Sequence, residues 1–148
     1  YEESVHVPLL FYIPGVSAAR VDTTVALVDI VPTVLDALSI PGHRDDLDGI
    51  SLFRLLSPDA PRLSRPVFSI LGGKHAKPKR ALSATYLGTR KYILNNRTGG
   101  EELYDLRKDP DESENLFEEE SAQLDELRKL AREFAAESSP GWNKYHWK

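Results

Sequence analysis

The stretch "KYILNNRTGGEELYDLRKDPDESENL", residues 91–116, decides the fold. It begins with a strand candidate over 91–96, turns at Thr98-Gly99-Gly100, and continues into a second candidate over 101–106, where Tyr104 and Leu106 alternate with polar neighbours. Asp109-Pro110-Asp111 then makes a turn, and Asn115-Leu116 leads toward a helix. Working back from this stretch, "PVFSIL" (66–71) and "ALSATYLG" (81–88) read as two more strands, the latter joined to 91–96 by the hairpin signal Gly88-Thr89-Arg90. Working forward, Ser121 to Glu137 places Leu124, Leu127, Leu130, Ala131, Phe134 and Ala135 at i+3/i+4 spacing with charge on the other side. The expectation is a small four-stranded antiparallel sheet with one side covered by a long helix.

The first sixty residues read differently. "PLLFYIPG" (8–15) is a continuous apolar run closed by Pro14-Gly15, as in a strand buried on both faces of a parallel sheet. "DIVPTVLDAL" (29–38) predicts a helix with Asp29 as N-cap and Pro32 in the first turn. Ile30, Val31, Val34, Leu35 and Leu38 would form its apolar face, and Pro41-Gly42 would stop it. Ser51 is a plausible cap for a short helix over "LFRLL", and the proline-rich 57–66 marks a boundary. The domain reading is therefore 1–60 as the end of a larger α/β domain, 61–137 as the sheet and helix, and 138–148 as a tail.

At 148 residues and 41% hydrophobic content, the chain can bury roughly 70% of its unfolded surface. It contains no cysteine, which excludes disulfides, thiolate metal sites and a cysteine nucleophile within these residues. It contains no methionine and begins at Tyr1, so Tyr1 reads as a position inside a longer protein. No apolar run approaches the ~20 residues of a membrane span, and no membrane partner is expected. Charge is segregated. Residues 62–97 carry nine Lys/Arg (Arg62, Arg65, Lys74, Lys77, Lys79, Arg80, Arg90, Lys91, Arg97) and no acid, whereas 101–137 carry fourteen acids against five bases. Such a stretch either attracts an anion or is a sheet face balanced by nearby acids.

Few motifs offer chemistry. "RDDLDG" (44–49) groups carboxylates, but the twelfth residue from Arg44 is Leu55, where a calcium loop needs an acid. "GVSAA" (15–19) lacks the second glycine of a nucleophile elbow. His6, His43, His75 and His146 are dispersed, without ligand-pair spacing. His6 stands just before the apolar run, where strand ends of α/β proteins carry functional groups, although a structural histidine fits there too. "GGKHAKPKR" (72–80) is the most suggestive segment, because Lys74, His75, Lys77, Lys79 and Arg80 follow a free Gly-Gly backbone and could pair with sulfate, phosphate or carboxylate. No interleaved aromatics accompany it, so nucleic acid is not the expected partner.

Taken together, "YEESVHVPLLFYIPG", "VALVDIVPTVLDALSIP", "DGISLFRLL", "RPVFS" and the opening stretch resemble, in order and spacing over about residues 1–135, the C-terminal third of a sulfatase of the alkaline-phosphatase-like superfamily. The resemblance implies an α/β fold in which a large mixed sheet carries the active site. A smaller four-stranded antiparallel sheet with a long C-terminal helix then packs against it. It implies a formylglycine nucleophile and a divalent cation, calcium in the first place, in the full-length protein. All of their positions would lie before Tyr1. No catalytic residue and no metal ligand transfers to this chain, and none of its own residues is expected to bind the cofactors.

What the resemblance leaves to this chain is scaffold and substrate selection, with Lys74, His75 and His6 as candidate contacts to a sulfate ester. His6 stands where many relatives have arginine. The expected partner is the missing N-terminal catalytic part, without which the chain is expected to be inactive and, with "PLLFYI" exposed, to self-associate. Two alternatives remain open at this point: a phosphate or phosphonate esterase of the same superfamily, and a non-enzymatic module binding anionic polysaccharide or nucleic acid.

Overall fold

The computed structural model describes residues 1–41, 46–57, 60, 63–71, 82–118 and 121–142, the side chains of 135–142 excepted. The chain divides into two units, residues 1–6 with everything from Arg65 onward, and Val7–Ser64.

The first unit starts with one helical turn, α1 (Glu2–Val5). Within the second unit, a 3-10 turn (Leu27–Asp29) leads into α2 (Ile30–Ala37), and a further 3-10 turn covers Phe53–Leu56. The Asp29 carboxylate does not cap α2; it accepts the N–H of Ala26 at 2.8 Å and that of Ile50 at 2.9 Å. Thr33 donates to the Asp29 carbonyl and accepts from Leu52 N–H, so the buried Asp29 just before α2 and the buried Thr33 within it fasten residues 50–52. Gly49 completes the closure: a Cβ there would lie 2.0 Å from the Val28 carbonyl oxygen, which no side chain permits. The helix stops before Pro41-Gly42, because Ser39 takes a left-handed φ of 52° and Ile40 N–H returns to Leu35 O.

The apolar side expected of α2 is largely open, with Val31, Val34 and Leu38 exposed. Residues 8–13 form no strand, and Leu10 and Tyr12 are 92% and 89% exposed. The physical reason is pairing. A strand buried on both faces needs neighbours for its N–H and C=O groups, and none of the four strands described below pairs with it.

In the first unit, β1 (Val67–Leu71), β2 (Leu82–Leu87), β3 (Arg90–Asn95) and β4 (Glu101–Asp105) form an antiparallel sheet in sequence order. The β2–β3 hairpin pairs Leu87 with Arg90 across Gly88-Thr89, and Gly88 supplies the positive φ of 62° that a tight two-residue turn requires. Asn95 builds the next turn by accepting the N–H groups of Arg97 and Thr98. Ser121 caps α3 (Ala122–Trp142) through its hydroxyl to Leu124 N–H. That helix lays Leu124, Leu127 and Ala131 on Tyr92 and Leu103, and Phe134 stacks flat on Phe68 at 4.2 Å. The four strands and the C-terminal helix are thus where the sequence pattern places them, within two residues at strand ends. The helix continues past Glu137 to Trp142.

Candidate functional site

Alternation along the strands gives the sheet two unlike faces. Phe68, Thr85, Tyr92 and Leu103 fall on the α3 side. Val67, Ala84, Tyr86, Lys91, Ile93 and Tyr104 fall on the other, where register pairs Val67 with Tyr86, Tyr86 with Lys91, and Lys91 with Tyr104. The second face carries the principal charged cluster among the described residues. Lys91 is only 1% exposed. Its Nζ lies 2.8 Å from Glu2 Oε1 and 2.8 Å from Glu112 Oε1. Toward Glu2 the contact is a hydrogen bond; toward Glu112 it is an ion pair without hydrogen-bond angles. Tyr86 donates its hydroxyl to the same Glu2 oxygen at 2.9 Å, and Lys91 also lies over the Tyr86 ring. Burial first, and then the Glu2 carboxylate, push the Tyr86 hydroxyl well above the usual tyrosine range.

Each carboxylate arrives by a different route. Glu2 comes from α1, whose backbone N–H at Glu2 also donates to Glu112. Glu112 comes from the turn after β4, where it holds a left-handed φ of 52° that an L side chain adopts at some cost. The "DPDESENL" segment builds that turn from its own polar groups. Asp109 accepts from Ser113 N–H and hydroxyl and from Glu114 N–H. Asn115 accepts from Leu103 N–H and Phe117 N–H, while Leu116 N–H donates to the Leu103 carbonyl, so both backbone groups of Leu103 on the outer edge of β4 are satisfied. A second anchor lies beside the first: Tyr1 and Tyr104 both donate to Glu102, with their rings edge to face at 6.4 Å.

Two hollows flank this arrangement. One, of about 190 Å³, lies between α1 and the sheet and is lined by Tyr1, Val5, Leu71, Leu82, Tyr86 and Lys91, among others. The other, about 220 Å³, lies among Arg90, Asp105, Lys108, Asp109, Glu114 and Leu116. Burial pushes the Asp105 carboxyl up, but bonds from the Thr89 hydroxyl and Arg107 N–H, with Arg90 nearby, bring it below the usual aspartate value. Among the described residues, no group of three or more His, Asp or Glu side chains is arranged to hold a metal ion.

Of the residues singled out from sequence, His6 ends α1 on the exposed surface, with its backbone N–H on the Glu2 carbonyl. Lys74 and His75 lie outside the described residues, as do His43, His146, the whole 72–80 basic segment and part of "RDDLDG". Sequence reasoning placed Lys91 in a basic stretch that either attracts an anion or is balanced by nearby acids, and Lys91 itself is paired with two carboxylates of its own chain. Glu2, Tyr86 and Glu112 were not singled out. The available signal was that Lys91 alternates onto the same strand face as Ile93, which marks that face as buried.

With this geometry in hand, comparison with known proteins is decisive about kinship. A family model described as N-sulphoglucosamine sulphohydrolase, C-terminal, matches residues 1–138. The chain is 40% identical over 130 residues to arylsulfatase K of Mus musculus, covering 80% of this chain and 23% of that protein. It is 33% identical over 141 residues to an arylsulfatase of Clostridium perfringens, covering 88% and 27%. A solved structure of a 2-O GAG sulfatase superposes with a TM-score of 0.61 at 26% identity, covering 80% of this chain and 26% of that one. The chain thus spans about a quarter of the length of the relatives it matches.

Proposed function

The chain belongs to the N-sulphoglucosamine sulphohydrolase C-terminal family, and we propose that the protein it forms part of hydrolyses sulfate esters, with this chain as scaffold and as one wall of substrate selection. The observation that carries the reading is the family match over residues 1–138, together with the four-stranded sheet and C-terminal helix. A formylglycine nucleophile and a divalent cation do not fit the residues present: the chain has no cysteine, and its described acids and histidines form no ligand cluster. No chemical step is therefore assigned to this chain, and the nucleophile and cation belong to the part expected before Tyr1.

Lys74, His75 and His6 are the candidate contacts to the substrate. A cationic side chain near the sulfate would help bind the ester and offset charge developing on oxygen as the S–O bond breaks. The relatives named for arylsulfate and glycosaminoglycan chemistry support a sulfated aryl or sugar substrate. The exposed Leu10, Tyr12, Val31 and Leu38 support docking of the rest of the protein on residues 7–64, and self-association when that part is absent.

The test is a pair of assays. The full-length protein should release sulfate from para-nitrophenyl sulfate or a sulfated glycosaminoglycan oligosaccharide, and residues 1–148 alone should not. Lys74→Ala and His75→Ala should raise KM. Preference for the corresponding phosphate ester would move the protein to the phosphoesterase branch, and turnover by residues 1–148 alone would refute the assignment of catalysis to the preceding chain.

A further inference from the structure

The turn α1 cannot stand by itself. It is four residues long, has no side-chain cap and no buried residue, and holds only the backbone bonds Ser4 N–H to Tyr1 O and His6 N–H to Glu2 O. An isolated turn of this length is unstable in water, since nucleation costs more than one or two bonds return. Its place is set from outside, by Glu2 on Lys91 and Tyr86, by Glu2 N–H on Glu112, and by Tyr1 on Glu102. Lys91 is central because the two carboxylates it separates, Glu2 and Glu112, both approach its Nζ at 2.8 Å. Without that ammonium the same geometry sets like charges against each other, and the attraction that holds α1 becomes a repulsion.

We infer that Lys91 is a positioning residue: by pairing with Glu2 and Glu112 it docks the turn Glu2–Val5 on the C-terminal sheet and thereby fixes where the preceding chain joins this one. The inference rests on the reading that catalytic groups lie in the chain before Tyr1, which makes α1 the first covalent connection between those groups and this sheet. Lys91 touches no substrate in this scheme. It acts through Glu2, and its effect on turnover passes through the placement of α1.

The test compares full-length wild type, Lys91→Met, Glu2→Gln and the double variant by amide hydrogen exchange and steady-state kinetics. In Lys91→Met, exchange of residues 2–6 should rise by about tenfold or more through a local opening insensitive to low urea. Residues 90–105 should stay protected and gain exchange only with the global loss of stability, through an opening that urea promotes. For para-nitrophenyl sulfate, kcat should fall about tenfold with KM within about twofold, the signature of misplacement after binding. Glu2→Gln should act in the same direction, and the double variant should be no worse than Lys91→Met, because an anchor already released cannot be released again. If Lys91→Met fails to fold, Glu2→Gln, equal in shape and nearer the solvent, carries the same comparison.

The inference is overturned if exchange at residues 2–6 stays at the wild-type rate, if it rises only through the same urea-promoted opening as the sheet, or if it rises while kcat does not change. A wild-type protein without sulfatase activity would instead refute the sulfatase reading, and the exchange comparison would still decide whether Lys91 holds α1.

Discussion

The two faces of the sheet are closed by opposite chemistry. Under α3, hydrocarbon meets hydrocarbon: Leu127 is fully buried among Leu124, Ala131, Tyr92 and Leu103. Under α1, a lysine and two glutamates meet at the centre of a face that also buries Val67, Tyr86, Ile93 and Tyr104. The apolar face gains from burial at about 25 cal/mol per Å² and accepts any segment of suitable volume. The ionic face gains little net energy against desolvation, but it accepts only a segment that brings a carboxylate to one point. One face supplies stability and the other supplies register.

That contrast can be broken by substitution. Lys91→Met should have the largest effect, about 3–5 kcal/mol by urea unfolding, because it leaves Glu112 buried and unpaired. A loss under about 1 kcal/mol would mean the pair is not buried in solution. Leu127→Ala should come next, at about 2–5 kcal/mol, through a cavity in the α3 layer; unlike Lys91→Met, it should leave the docking of residues 2–6 intact at temperatures where the protein is folded. Asn115→Ala, at the sheet edge and outside both layers, should cost about 1–3 kcal/mol by stranding Leu103 N–H and Phe117 N–H. Gly88→Ala should cost about 1–2 kcal/mol through backbone strain alone, since open space surrounds the position.

The pH response sharpens the contrast further. Glu101 is pushed up by burial but brought lower by Arg128 and Tyr92, and Asp105 likewise ends below its usual 3.8. A lowered folded value stabilises above the unfolded value, so unfolding should set in as pH falls below the unfolded values, 4.5 for Glu101 and 3.8 for Asp105, toward their folded ones. Tyr86, Tyr92 and Tyr104 are raised, chiefly by burial, so their contribution is present below pH 10.0 and lost as pH rises beyond it. Circular dichroism against pH should show both limbs, and Glu2→Gln should make the alkaline limb shallower by removing the carboxylate that helps raise Tyr86.

The sheet and its covering helix were legible because their signals are local: alternation, Gly88-Thr89, Gly99-Gly100 and a Leu stripe all lie within a few residues of what they specify. The ionic face was not, since Glu2 and Lys91 are 89 positions apart and charge in sequence carries no address. A four-residue turn such as α1 is also too short to show a period. The apolar run at 8–13 was read as a strand on composition, but strand formation depends on neighbours that a local reading does not contain.

Asp29 and Gly49 carry one more consequence. Together they bring Val28–Asp29 against Gly49–Ile50 by a carboxylate bond on one side and the absence of a Cβ on the other. The join is made at the two ends of the intervening chain, so it does not depend on how long the stretch between Pro41 and Asp48 is. Doubling that stretch would add only about 0.6 kcal/mol of closure entropy. The join is therefore governed by its two ends and only weakly by the length between them.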